Sequence, residues 1–170
     1  MRNFNKFLTT ILFLIIFINP VKSNEKAVFI NVDFLIQNSN IGKKVLKNIE
    51  DLNNKNITLL KKRNKNLKEL ELEIKNKKNI ISENDYIKEV KIFEQKVTDF
   101  NLEKNKIVKE FQDFRKKELD NLFKKFNPII TNYMKKNSIN ILFDSKNILM
   151  GSVDSNKTND ILEIINNEIK

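Results

Sequence analysis

The chain has 170 residues, a formal net charge of +10, no His, Cys or Trp, and only two Gly and two Pro. That composition excludes imidazole and thiolate metal sites, Cys or His nucleophiles and disulfide staples, and two glycines cannot build a phosphate-cradling loop. So little Gly and Pro argues for long helices over a turn-rich all-β fold. Only carboxylates and lysines remain for chemistry, and no pattern gathers them in a cleft. The chain is therefore expected not to be an enzyme, with no catalytic, cofactor-binding or metal residue assigned and no cofactor.

Residues 1–23 have the three-part layout of a secretory signal. Arg2 and Lys6 form a positive start, and Phe7 to Ile18 is a run of twelve residues broken in polarity only by Thr9 and Thr10. Pro20 follows, then Val21, Lys22 and Ser23. Twelve residues fall short of the roughly 20 that a membrane span needs, so cleavage is expected after Ser23; an uncleaved signal anchor is the alternative. The mature chain keeps 29 basic and 22 acidic residues, a net charge of +7.

Residues 26–33 (Lys-Ala-Val-Phe-Ile-Asn-Val-Asp) predict a short strand, with one helical turn over 34–38. Ser39 is placed as the N-cap of a first long helix carrying Val45, Ile49 and Leu52, then Leu60, Leu67, Ile74 and Ile81 every seven residues. Asn56, Arg63 and Lys77 interrupt that stripe. A reversal is expected at 79–85, where Ser82 and Asn84 are good caps. The second helix gives the strongest pattern in the chain. Tyr86, Phe93, Phe100, Ile107 and Phe114 hold one heptad position, and Val90, Val97, Lys104, Phe111 and Glu118 hold the other. After Glu118 the stripe slips to Leu119, Leu122, Phe126, Ile130 and Tyr133, Pro128 is expected to bend the helix, and Asn137 is the expected left-handed cap. Strands are expected at 139–143 and, paired back on it, 148–153; Thr158 then caps a short helix bearing Ile161, Leu162, Ile165 and Ile169.

The expected fold is α+β and mostly α: a long antiparallel coiled-coil hairpin projecting from a small β body formed by the N- and C-terminal strands. Residues 24–38 and 137–170 make the body, and 39–136 make the hairpin, its tip near 79–85. Three short strands offer little core, which points to self-association through Val28, Phe29, Ile30, Ile141, Leu142 and Phe143.

Residues 26–33, then Ser39-x-x-Gly42-Lys43-Lys44 and Leu52, resemble the opening of the Skp/OmpH-like periplasmic chaperones. Pro128, Ile141-Leu-Phe-Asp144 and Thr158-x-Asp160-Ile161 resemble their closing segment. The chain departs from that pattern at Asn40, where Pro is common, at Asn156-Lys157, and in lacking a Gly before Ile139. The resemblance implies a periplasmic homotrimer whose three helical arms surround a cavity holding unfolded outer-membrane proteins without ATP. Residues 43–79 carry twelve Lys or Arg against five Asp or Glu, a net +7, whereas residues 80–170 carry sixteen against fifteen. That field would draw in acidic clients, with Lys75, Lys77 and Lys78 as candidate early contacts and an anionic lipid or membrane surface as a further partner. Two other classes remain. One is a structural coiled coil held at the envelope by an uncleaved anchor. The other is a basic nucleic-acid binder, disfavoured by the signal and the absence of a reading module.

Overall fold

Two four-residue strands from opposite ends of the chain meet at the root of a helical hairpin. The computed structural model describes residues 26–169, and the expected signal segment lies outside the described residues. Strands β1 (Ala27–Ile30) and β2 (Ile141–Asp144) pair in parallel, Ala27 opposite Ile141 and Ile30 opposite Asp144. A parallel pair needs a long crossover, and here the whole hairpin is that crossover.

Asn31 turns the chain from strand to helix. Its side chain accepts a hydrogen bond of 2.9 Å from the Phe34 N–H and caps α1 (Val32–Asn38), so the strand ends before Asp33. Ser39, fully buried, ends α1 and caps α2 (Asn40–Lys77), its hydroxyl accepting from the Gly42 N–H at 3.1 Å. A Cβ at Gly42 would run into the carbonyl oxygen of Ile36, which is why a glycine sits in the first turn of α2. After a turn over 78–81, Ser82 caps α3 (Glu83–Lys136), its hydroxyl bonded to both the N–H and the carboxylate of Asp85. That bond and the Lys88 ammonium hold the Asp85 carboxyl below the usual carboxylate range.

Helices α2 and α3 run antiparallel. Arg63 pairs with Glu103 at 3.3 Å and Lys77 with Glu89 at 3.2 Å. Each pair of numbers adds to 166, so the two helices keep one register from residue 63 to residue 77. The expected seam residues Tyr86, Phe93, Phe100, Ile107 and Phe114 are half-buried, Ile74 is buried and Lys104 is exposed. Two helices alone cannot bury a seam on all sides, so half-burial is the rule along the arm.

At the root this changes. Ile30, Leu35, Val45, Leu122, Phe126, Ile129, Ile161 and Ile165 form one buried cluster in which β1, α1, α2, α3 and α4 (Thr158–Glu168) all take part. The slip of the α3 stripe after Glu118 has its reason here: Leu122 and Phe126, each 1% exposed, face α1 and α4 as well as α2. Truncating Phe126 to Ala would cost about 3–5 kcal/mol. Pro128 lies inside α3 without ending it.

Three local expectations are corrected. The left-handed residue after α3 is Ser138 (φ 53°), not Asn137 (φ −104°). The Ile139 N–H reaches the Met134 carbonyl at 2.9 Å and the Ser138 N–H the Lys135 carbonyl at 3.4 Å, a Schellman ending shifted one residue along. No strand forms over 148–153. Asp144 caps a 3-10 turn at Ser145–Asn147, Val153–Ser155 forms another, and Phe29 bridges Asn156 instead, leaving a two-stranded sheet among the described residues. A hairpin needs a covered apolar face to persist, and the chain alone covers none there. Thr158 does not cap α4 either. Its hydroxyl accepts from the Asn31 N–H at 2.8 Å and donates to the Asn156 carboxamide at 2.6 Å, tying the end of β1 to the start of the helix.

Two stability outcomes are expected. Ser138→Gly relieves an L-residue held at positive φ and should stabilise the chain by about 1 kcal/mol, read as a raised urea midpoint with unchanged slope. The Tyr133 phenol donates to the Asp160 carboxylate at 2.8 Å, and burial together with that carboxylate pushes it up to about 12. A raised folded value means the contribution is present in full below pH about 10 and lost as pH rises through 12. Melting curves at pH 9 to 12 should therefore fall more steeply for the wild type than for Tyr133→Phe.

Candidate functional site

Among the described residues no group of three His, Cys, Asp or Glu is placed to hold a metal ion, and no helix is long and apolar enough to cross a membrane. The features available for function are surfaces, and they lie at the tip of the arm, at its root and on the outer side of the sheet.

At the tip, the three candidate lysines have different surroundings. Lys77 bridges Glu73 at 3.1 Å and Glu89 at 3.2 Å, which raises its pKa and ties α2 to α3. Lys75 pairs with Glu71 at 2.7 Å along the helix, and Lys78 has no ion pair among the described residues. Lys75 and Lys78 are exposed and point their charge to solvent, while Lys77 is half-buried in the hairpin. Such surface pairs hold weakly, about 0–1 kcal/mol each, so Lys75 can exchange its partner for another anion. Ile80, 79% exposed, crowns the turn between them.

The sheet brings the six strand residues together on two faces, because side chains alternate along a strand. Val28 and Ile30 are 3% exposed and belong to the chain's own interior, with Leu142 half-buried beside them. Phe29, Ile141 and Phe143 take the outer face, the last two 41% and 45% exposed. Gly151 lies against the Phe29 ring so closely that a Cβ would stand 2.7 Å from Cε1. The segment around it presents Leu149, Met150 and Val153, 96%, 87% and 89% exposed. Five large apolar side chains on one end of a small body make an apolar patch of the kind that marks an interaction surface. The apolar character of 148–153 was legible as a strand pattern; what it signals here is a face without a partner inside this chain.

A feature that sequence reasoning missed lies at the root of the arm. Ile36, Leu46, Ile49, Phe111 and Leu119 line a groove of about 590 Å³ between α1, α2 and α3, with Asp33, Glu50 and Arg115 at its edges. Asp33 is held on its other side by Lys146 at 2.6 Å, which raises the Lys146 pKa. The signal that could have revealed the groove is Leu46, an apolar residue one step off the Val45–Ile49–Leu52 stripe.

The chain's sequence matches the family model described as outer membrane protein (OmpH-like) over residues 26–165. Its fold is similar to that of a proposed outer membrane chaperone (OmpH-like) from Caulobacter crescentus CB15, with a TM-score of 0.76 over 86% of each chain and 14% sequence identity. No curated protein matches. A match that takes in both strands, the complete hairpin and most of α4 shows the family: the chain belongs to the OmpH-like outer membrane proteins.

Proposed function

We propose that the mature chain is an ATP-independent holdase of the periplasm, exported by residues 1–23, that keeps unfolded outer-membrane β-barrel proteins from aggregating in a cavity between coiled-coil arms. The observation that carries this reading is the division of the molecule into a short body and a long projecting arm. Helix α2 has 38 residues and α3 has 54, about 57 and 81 Å at 1.5 Å per residue, against 7 and 11 residues for α1 and α4 at the root. An arm with a thin seam encloses nothing by itself, so a cavity requires several copies.

The body supplies the means of assembly. Ile141, Phe143, Leu149, Met150 and Val153 are the exposed apolar face, and the free edge of β2 carries unpaired backbone groups. Residues 24–38 and 137–170 therefore form the association body of a homotrimer, and residues 39–136 form one arm of the cage. Phe29, Ile141 and Phe143 are the strand residues placed to meet a neighbouring copy; Val28, Ile30 and Leu142 act by holding the sheet on its own core. The +7 carried by residues 43–79 adds a field that speeds encounter with acidic segments, to which Lys75 and Lys78 contribute at the tip. Lys77 contributes rigidity there.

Sedimentation of the mature protein at micromolar concentration should give a trimer. Leu149→Asp combined with Val153→Asp should yield a helical monomer, while Leu72→Asp on the arm, 60% exposed, should leave the trimer intact. A stable wild-type monomer sinks the cage. The second measurement is light scattering as a urea-unfolded β-barrel protein is diluted with the wild-type chain. Suppression is expected without nucleotide and should weaken as salt rises, since a Debye length of about 8 Å at physiological ionic strength screens exposed charges. If aggregation proceeds unchanged, the holdase reading is dropped for that of a structural coiled coil, which N-terminal sequencing from envelope fractions would support by finding residues 1–23 still attached.

A further inference from the structure

The two broad faces of the arm differ in chemistry. On α3, positions 96, 103, 110, 117 and 124 repeat at heptad spacing and hold Lys, Glu, Glu, Lys and Lys. Lys96 and Glu103 line one opening of the seam together with Asn66, and Asn66 lines the next one with Leu59 and Lys62. On α3 this flank is charged at each of those steps; on α2 it carries Leu52, Leu59 and Asn66, and the seam residues Leu67, Leu70 and Phe100 show at the first opening.

The opposite side starts at the root groove, whose lining includes Leu46, Glu50, Asn53 and Arg115. Steps of seven residues keep a position on the same side of a two-helix coil. Ile57 and Asn64 thus extend the line from Glu50, Leu60 extends it from Asn53, and Val108 and Asn101 extend it from Arg115. These nine positions contain two charges, Glu50 and Arg115, and the next step toward the tip adds Glu71 and Glu94, so the uncharged stretch is the middle of the arm, 53–64 with 101–108. Leu46, Ile57 and Val108 are 36%, 41% and 43% exposed on this face, and three carboxamides lie among them.

We infer that this groove face is the surface that grips the client, and that its occupant is an extended, low-charge segment of unfolded polypeptide lying along the arm. The inference rests on the holdase reading. Residues 46 to 64 span about 27 Å of helix, the length of about eight extended residues. An unfolded segment brings unpaired peptide N–H and C=O groups. The carboxamides of Asn53, Asn64 and Asn101 each offer both a donor and an acceptor, without the desolvation cost that a lysine or glutamate would add. Leu46, Ile57 and Val108 take the apolar side chains, and the groove at the root receives the end of the segment. The charged face steers and solubilises; the groove face holds. A second copy of this chain is the other occupant the face could accept, and it gives a different concentration dependence.

Because the chain has no cysteine, single labels can be placed at will. Ile57→Cys and Val108→Cys report on the groove face, and Lys55→Cys and Glu110→Cys on the charged face, each carrying a polarity-sensitive dye. With a urea-unfolded outer-membrane β-barrel protein as probe, emission should shift to the blue at 57 and 108 and stay unchanged at 55 and 110. Ile57→Asp with Val108→Asp should weaken retention of that probe about tenfold with helicity unchanged, since both side chains are exposed, whereas Lys55→Ala with Glu110→Ala should retain it as the wild type does. Equal shifts on both faces, or larger ones at 55 and 110, overturn the assignment while leaving the holdase reading standing. A shift at 57 and 108 that grows with chain concentration and needs no probe assigns the face to a second copy and overturns it too. Failure of the unlabelled wild-type chain to retain the probe at all removes both readings together.

Discussion

Everything in this molecule depends on one cluster of apolar side chains at one end of the hairpin. Leu35, Leu122, Phe126, Ile161 and Ile165 are each at most 1% exposed, and they join residues more than a hundred positions apart. The parallel pairing of β1 with β2 sits on this cluster through Ile30, with Leu142 packed against it. The Thr158 hydroxyl, between Asn31 and Asn156, closes the polar side of the same junction without leaving a buried group unpaired. Opening the cluster would release both ends of the chain at once, because neither strand has another partner of comparable size.

Beyond the root, the arm has only its seam. A two-helix coil buries a single stripe, and at Asn56, Arg63 and Lys104 that stripe is polar. Arg63 meets this by pairing with Glu103 across the seam, a pair more than half exposed on the arginine side and therefore weak. The outer arm recovers some packing at Ile74, 6% exposed, and at the Lys77 bridge to Glu73 and Glu89. Stability along the arm is thus highest at the root, lower in the middle and partly restored near the tip. Local opening is easiest where few apolar contacts must be broken, which places the compliant stretch around residues 56–66 and their partners on α3.

The parts of the fold legible in the sequence are those set by short-range periodicity. The aromatic heptads of α3 could be read because every seventh position repeats the same physical demand, and Ser39 and Ser82 because a cap acts over three residues. The parts that could not be read are set by contacts across the chain. The partner of β1 lies 114 residues away, whereas the strand at 139–143 has an apolar run at 148–153 only a short turn beyond it, a more obvious pairing. Strand propensity reports a fit to a half-buried pleated surface, and 148–153 has that composition without such a surface inside its own chain. Ser138 in place of Asn137 is a displacement of one residue, the usual uncertainty of a helix end. Charge and nearness to the tip pick out all three lysines alike, and only geometry separates Lys77, held between two carboxylates, from Lys75 and Lys78.

The groove face was hidden for a different reason. Amphipathicity is sought as apolar against polar, and by that measure both flanks of the arm look polar. The contrast lies between neutral and charged polar residues: carboxamides near Ile57 and Val108 on one side, lysines and glutamates at 96, 103, 110, 117 and 124 on the other. In water the two kinds are equally soluble. Against a partner they diverge, because a carboxamide gives up its hydration at a modest cost and a charge does not. In the proposed holdase, staying dissolved and leaving a surface free for unfolded polypeptide are separated onto opposite sides of one coil. The seam dictates which sides these are, since the positions flanking it are the exposed ones that lie within reach of both helices.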